Sequence, residues 1–188
     1  MLILPDELHN ERMISDDYRR QQELLHRNPE YGVASEGMAP VVAKLLNDYQ
    51  IDNLLDYGAG KGRLGQVIAQ HNLVDHVLRI QNYDPAIPKW AGKPEPCDLV
   101  ACIDVLEHIE PDRLDNVLDD LKRVTKFVGI FTVSTSLAVK RLADGRNAHL
   151  IVEPVEWWLP KFLERFELHT FQRQPDGFLL LVKAKEVQ

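Results

Sequence analysis

Asp56-Tyr57-Gly58-Ala59-Gly60-Lys61-Gly62-Arg63-Leu64-Gly65 is the stretch on which the fold of this chain turns. It closes a short apolar run, Asn53–Tyr57, and opens a helical pattern from Arg63 to His71. Glycine lets the backbone turn sharply and approach a ligand closely, and the helix that follows offers unpaired N–H groups. Three alternating glycines exceed what a plain strand-to-helix turn needs. A phosphate-binding Walker loop fails, because Lys61 is followed by Gly62 rather than Ser or Thr. A dinucleotide fingerprint fits Gly60, Gly62 and Gly65, with Asp84 as the acidic residue 24 positions beyond Gly60. Against it stands Asp56, a carboxylate where pyrophosphate charge would have to be welcomed.

Working outward, the segment before the loop reads as helical, from Ser15 to His26 and from Gly37 to Tyr49. Beyond the loop, Val77–Tyr83 is a second strand and Asp98–Ile103 (DLVACI) a third, apolar enough to be covered on both faces. Between them residues 85–97 carry four prolines and exclude a regular element of any length. Pro111 opens a helix to about Thr125, Phe127–Val133 is a fourth strand, and a helix follows with Trp157, Trp158, Phe162 and Leu163. Two final strands meet at Gln174-Pro175-Asp176-Gly177, a hairpin turn. The expected fold is α/β: a Rossmann-like, mostly parallel sheet, helices on both faces and an antiparallel C-terminal hairpin. Ligands of such sheets sit outside the carboxyl ends of the strands.

Composition narrows the function. The 188 residues suit one domain, expected to span 1–188 with residues 1–36 as an N-terminal helical lid or extension. At 45% hydrophobic and 27% charged the chain is ordinary globular protein. Acids outnumber bases 29 to 22, a net charge of −7, which makes nucleic acid and anionic membranes poor partners. Cys97 and Cys102 form neither a disulfide framework nor a zinc motif, and no metal site is expected. The opening MLILPDELHNER lacks the charged n-region of a signal peptide, so the expected location is cytoplasmic.

Asp56-x-Gly58-x-Gly60-x-Gly62, Asp84 at the end of the second strand, and the run from Cys97 through Asp104-Val105-Leu106-Glu107-His108 to Pro111 together resemble the motifs of class I S-adenosylmethionine-dependent methyltransferases. The resemblance covers roughly residues 50–135. It implies a cofactor that carries a sulfonium and an ammonium, for which acidic residues beside the loop make electrostatic sense. Asp56, Gly58, Ala59, Gly60, Gly62, Asp104 and Val105 would then surround that cofactor. Asp84 would accept from both ribose hydroxyls, since two carboxylate oxygens can take two donors. The chain departs from the family between Asp84 and Asp98, where a helix and a further strand usually stand. That strand is expected to be missing or collapsed. Pro85, Ala86, Ile87 and Trp90 are candidates for a substitute adenine wall, unless Trp90 only plugs the sheet edge.

On the acceptor side the titratable candidates are His149 and His108, either of which could take a proton from a nucleophile. Ordinary alternatives are a loop histidine and an orienting one. Arg146, in a locally basic loop, and Trp157 are candidate substrate contacts; a solvated loop and core packing compete with those roles. Tyr31 is a candidate cofactor contact from the lid, though the N-terminal helices could instead pack or dimerise. The reading is methyl transfer to a small-molecule or exposed acceptor by in-line displacement. An NAD-type oxidoreductase and a cofactor-binding protein without catalysis are the rivals.

Overall fold

The computed structural model describes residues 5–29 and 31–185. Six strands form one sheet: β1 (Asn53–Tyr57), β2 (Arg79–Tyr83), β3 (Cys97–Ile103), β4 (Thr125–Ser134), β5 (Phe166–Gln174) and β6 (Gly177–Ala184). Their order is β2-β1-β3-β4-β6-β5. The first four are parallel; β6 runs antiparallel to β4 and β5, so the C-terminal hairpin closes one edge. The expected strand between Asp84 and Asp98 is indeed absent, and β2 is the opposite edge.

Alternation along β3 shows why the sheet is covered on both sides. Val100 and Cys102 join one apolar cluster with Tyr57, Phe131, Trp158 and Phe162. Leu99, Ala101 and Ile103 join another with Val42, Leu46, Leu64 and Ile68. Helices α3 (Ala34–Tyr49) and α4 (Arg63–Gln70) supply the second cluster. Helices α5 (Leu114–Val124) and α6 (Val155–Arg165) supply the first. β1 and β3 are held in register by paired bonds between Asn53 and Asp98, both 2.6 Å. The expected helix from Gly37 in fact begins at Ala34, which moves Pro40 from the first turn, where its missing N–H is harmless, into the helix interior.

The N-terminal segment divides in two. Helix α1 (Pro5–Met13) packs beside α5 over the β1–β2 side of the sheet, where the Tyr57 and Tyr83 rings meet at a tilt, centroids 4.8 Å apart. Tyr83 donates to the Asn10 side chain at 2.9 Å, and Asn10 donates onward to the Ala91 carbonyl at 2.6 Å. α1 therefore covers ground that the thirteen-residue connection after Asp84 is too short to cover with a helix of its own. Helix α2 (Asp16–His26) begins at Ser15, whose hydroxyl accepts from the Tyr18 amide. It crosses the carboxyl ends of the strands, and Ile14 and Tyr18 pack with Ala86 and Leu142. Of the two helices, α2 lies against the strand ends and α1 does not.

Candidate active site

A cavity of about 580 Å³ opens at the carboxyl ends of β1, β2, β3 and β4 beneath α2. Gly58, Gly60 and Gly62 all have positive φ (77°, 50° and 69°), a conformation costing an L side chain roughly 1–2 kcal/mol. At Gly58 a Cβ would also run into the Val105 side chain, and at Gly60 into the His26 ring. The Gly58 and Ala59 amides both donate to the Tyr83 carbonyl, at 2.8 and 2.9 Å, which pins the loop to the end of β2.

Asp84 is buried, and each carboxylate oxygen accepts one backbone N–H: Gly60 on one, Ala86 on the other, both at 2.9 Å. Each keeps a lone pair for a further donor. Burial raises its pKa, opposed first by His26 and then by those two amides. Asp56 lines the same cavity, and burial followed by repulsion from Asp84 pushes it up to about 7; one of its oxygens is buried without a partner. The glycine-loop side of the cavity thus presents two buried carboxyls.

Pro85 and Ala86 line the cavity with the glycine loop, but Ile87 and Trp90 do not. Trp90 ends a tight turn in which the Asp84 amide donates to its carbonyl, and the Lys89 ammonium covers its ring at 4.2 Å. Asp104 and Val105 face the cavity. Asp104 takes a left-handed φ of 51°, rare for a residue with a side chain, and is held there by Thr132, whose hydroxyl donates to its carboxylate at 2.6 Å.

Across from the glycine loop the His108 and His149 rings meet edge to face, centroids 4.7 Å apart. His108 Nδ1 lies 2.8 Å from the Ala148 carbonyl and His149 Nδ1 lies 2.6 Å from the Ser136 carbonyl. A carbonyl can only accept, so each ring places an N–H on Nδ1 and turns Nε2 away from that bond. Burial, reinforced by His149, drives the His108 pKa down to about 4 and keeps it neutral. His149 is positioned by Asn147, whose side chain accepts from the His149 and Ala138 amides (both 2.9 Å) and donates to the Ala138 carbonyl at 2.8 Å. Beside the pair, Glu107 is fully buried. One oxygen accepts from the Ser134 amide at 3.0 Å and the other has no partner, while burial and Asp104 raise its pKa to about 8.

Tyr31 lies between the two sides, edge-on to His26 at 5.0 Å and to His108 at 6.1 Å. Its hydroxyl donates to Gln22 at 3.1 Å, Gln22 donates to Tyr18 at 2.5 Å, and Tyr18 donates to the His108 carbonyl at 2.6 Å. Lys61 ties the glycine loop to the same segment through the carbonyls of Asn28 and Tyr31.

Two expected substrate contacts stand elsewhere. Arg146 does not line the cavity: it grips Asp144, which also accepts from Gln21, so the basic loop is tied to α2. Trp157 points outward on α6 under the Lys161 ammonium, while its neighbour Trp158 fills the core. Sequence reasoning missed His26, Gln22 and Glu107. Glu107 stood inside the quoted DVLEH run, where a carboxylate amid apolar residues was the available signal.

The sequence matches the methyltransferase-domain family over residues 13–174. No curated protein matches it. Among solved structures, 1,6-didemethyltoxoflavin-N1-methyltransferase from Burkholderia thailandensis, with bound 1,6-didemethyltoxoflavin and S-adenosylhomocysteine, aligns at a TM-score of 0.58 and 19% identity, covering 99% of this chain and 92% of that one. A SAM-dependent methyltransferase from Aquifex aeolicus aligns at 0.55 and 15%, covering 87% and 98%. An O-methyltransferase family protein from Burkholderia thailandensis aligns at 0.59 and 15%, covering 82% of this chain, which spans only 57% of its length. The match over most of the chain overturns the dinucleotide-oxidoreductase reading. With a glycine loop, a strand-end aspartate and a DVLEH turn gathered in one cavity, the chain belongs to the methyltransferase-domain family of class I S-adenosylmethionine-dependent enzymes.

Proposed function

We propose that this protein transfers the methyl group of S-adenosylmethionine to a small-molecule acceptor by in-line displacement. The observation that carries the reading is the single cavity that joins Gly58, Gly60 and Asp84 to the His108–His149 pair. At about 580 Å³ it lies within the range of small-molecule and cofactor sites. The neighbour from Burkholderia thailandensis carries 1,6-didemethyltoxoflavin and S-adenosylhomocysteine bound together, and a two-sided cavity suits a cofactor and an acceptor here. The cofactor would lie along the glycine loop, with Asp84 taking the ribose, Pro85 and Ala86 against the adenine, and Asp56, Tyr31, Asp104 and Val105 near the methionine moiety. The acceptor would enter between the histidines and the loop after β4.

Catalysis in this reading is positioning and exclusion of water under α2, since rate depends on alignment of nucleophile, methyl carbon and sulfur. An imidazole held as low as His108 takes a proton reluctantly, so His108 serves in this reading to shape the acceptor wall that it shares with His149. The net charge of −7 fits a small acceptor better than a nucleic acid. Among the described residues no helix is long and apolar enough to cross a membrane, and both cysteines are unpaired and buried, which fits a cytoplasmic setting. The test is calorimetry with S-adenosylhomocysteine, followed by an acceptor screen with radiolabelled cofactor. Failure to bind the product cofactor would remove the reading; tight binding with a silent screen would favour a cofactor-binding protein without catalysis.

A further inference from the structure

We propose that Glu107, His108 and His149 bind one divalent transition-metal ion, which holds and activates an oxygen of the methyl acceptor. One ligand atom from each of the three lies within 4.8 Å of the others. Tetrahedral zinc with bonds of about 2.1 Å needs ligand atoms ~3.4 Å apart, so the widest pair must close by at most about 1.4 Å. Movement of the Glu107 carboxyl supplies that, since one of its oxygens has no partner, while both rings keep their backbone bonds.

Three features separate this cluster from an ordinary polar corner. Both imidazoles donate Nδ1–H to backbone carbonyls, at 2.8 and 2.6 Å, the outer bond that fixes the tautomer and aims a metal-ligating histidine. Glu107 keeps a buried oxygen without any hydrogen-bond partner, although a fully buried carboxyl should satisfy both. The same cavity carries the cofactor loop, so an ion here stands where the acceptor must lie. Two imidazoles and one carboxylate are a borderline donor set that suits zinc, iron, manganese or cobalt and leaves coordination positions open.

The proposal rests on the methyl-transfer reading and names the acceptor class: a hydroxyl compound, best one with a second oxygen adjacent, able to chelate through the open positions. The ion lowers the pKa of the coordinated hydroxyl, whose proton leaves to solvent. The alkoxide lone pair forms the new C–O bond to the methyl carbon as the C–S bond breaks, its electrons returning to sulfur. The products are a methyl ether and S-adenosylhomocysteine, and the ion keeps its oxidation state.

The probe is Co(II), added to chelator-treated, tag-free full chain and read by its visible absorption. Expected is saturation at one equivalent, with affinity lowered at least thirtyfold in His149→Ala and in Glu107→Gln but unchanged in the exposed control His169→Ala. No absorption change in the wild-type protein, or saturation that survives His149→Ala, overturns the site. S-adenosylhomocysteine calorimetry on the same samples keeps the two claims apart: cofactor binding with no cobalt binding refutes only the metal, and absence of cofactor binding refutes the methyl-transfer reading.

Discussion

In the proposed reading the cofactor side of the cavity comes from residues 56–62 and 84–86, two strand ends and the turns that follow them. The proposed acceptor side is assembled from Glu107, His108, Ser136 and His149, which lie on two separate connections, after β3 and after β4, and meet only once those strands are side by side. The cofactor side is made of backbone: positive-φ glycines, amides on Asp84, and a loop pinned to the Tyr83 carbonyl. The acceptor side is made of side chains whose orientation depends on carbonyls far off in sequence. A backbone site fails by strain and a side-chain site by loss of a functional group, so substitutions on the two sides should separate binding from turnover.

Gly58→Ala should have the largest effect. It places a Cβ at φ +77° against Val105, combining left-handed strain of about 1–2 kcal/mol with overpacking of about 1–3 kcal/mol. Product-cofactor affinity by calorimetry should fall about a thousandfold, since every 1.4 kcal/mol is a factor of ten. Retention of affinity within tenfold would show that the cofactor does not lie along this loop. On the other side, His149→Ala should leave cofactor affinity within about twofold of wild type and lower kcat roughly a hundredfold, the scale of a lost proton acceptor or ligand. Equal losses in binding and turnover would erase the distinction between the sides.

What was legible in the sequence follows the same division. Gly58, Gly60 and Gly62 announce themselves because glycine at alternate positions has a local cause, and four prolines locate the missing crossover for the same reason. Arg146 misled because its charge could be read while its partner, Asp144 two residues away and bridged to Gln21, could not be weighed. Trp157 and Trp158 are adjacent, and only the docking of α6 decides that the second goes inward. Glu107 stayed hidden because burial gives that carboxyl its character, and burial is settled by β4 and the loop reaching Ile151, whose amide donates to the Glu107 carbonyl. The lid segment divided for a tertiary reason too: α1 replaces a helix that the short connection after Asp84 omits.

Acidity sharpens the cofactor side further. Asp56 is raised to about 7 by burial and by Asp84, so near pH 6 it is mostly protonated in the free protein. A bound sulfonium and ammonium favour the carboxylate and lower that pKa, so binding releases a proton below pH 7. Affinity for S-adenosylmethionine should therefore rise about tenfold from pH 6 to pH 8, flattening above 7. Calorimetry in buffers of different ionisation heat counts the proton. Asp56→Asn should flatten this rise, and a profile that persists in the variant would assign it to another group.

The smallest effect belongs to the element that belongs to both sides. Tyr31 donates to Gln22, Gln22 to Tyr18, and Tyr18 to the His108 carbonyl, while Lys61 of the glycine loop holds the carbonyls of Asn28 and Tyr31. These bonds tie a glycine-loop residue and a histidine-bearing turn to the same segment. Tyr31→Phe keeps the ring against His26 and His108 and deletes one neutral hydrogen bond, worth about 0.5–1.5 kcal/mol. If the lid couples the sides, that cost appears as about a threefold to tenfold loss in cofactor affinity and a similar loss in kcat/KM for the acceptor, with hydrogen exchange in α2 accelerated to match. A change confined to cofactor affinity would make Tyr31 a local contact of the glycine side. The two sides would then be joined by the sheet alone, and α2 would be a cover that senses neither.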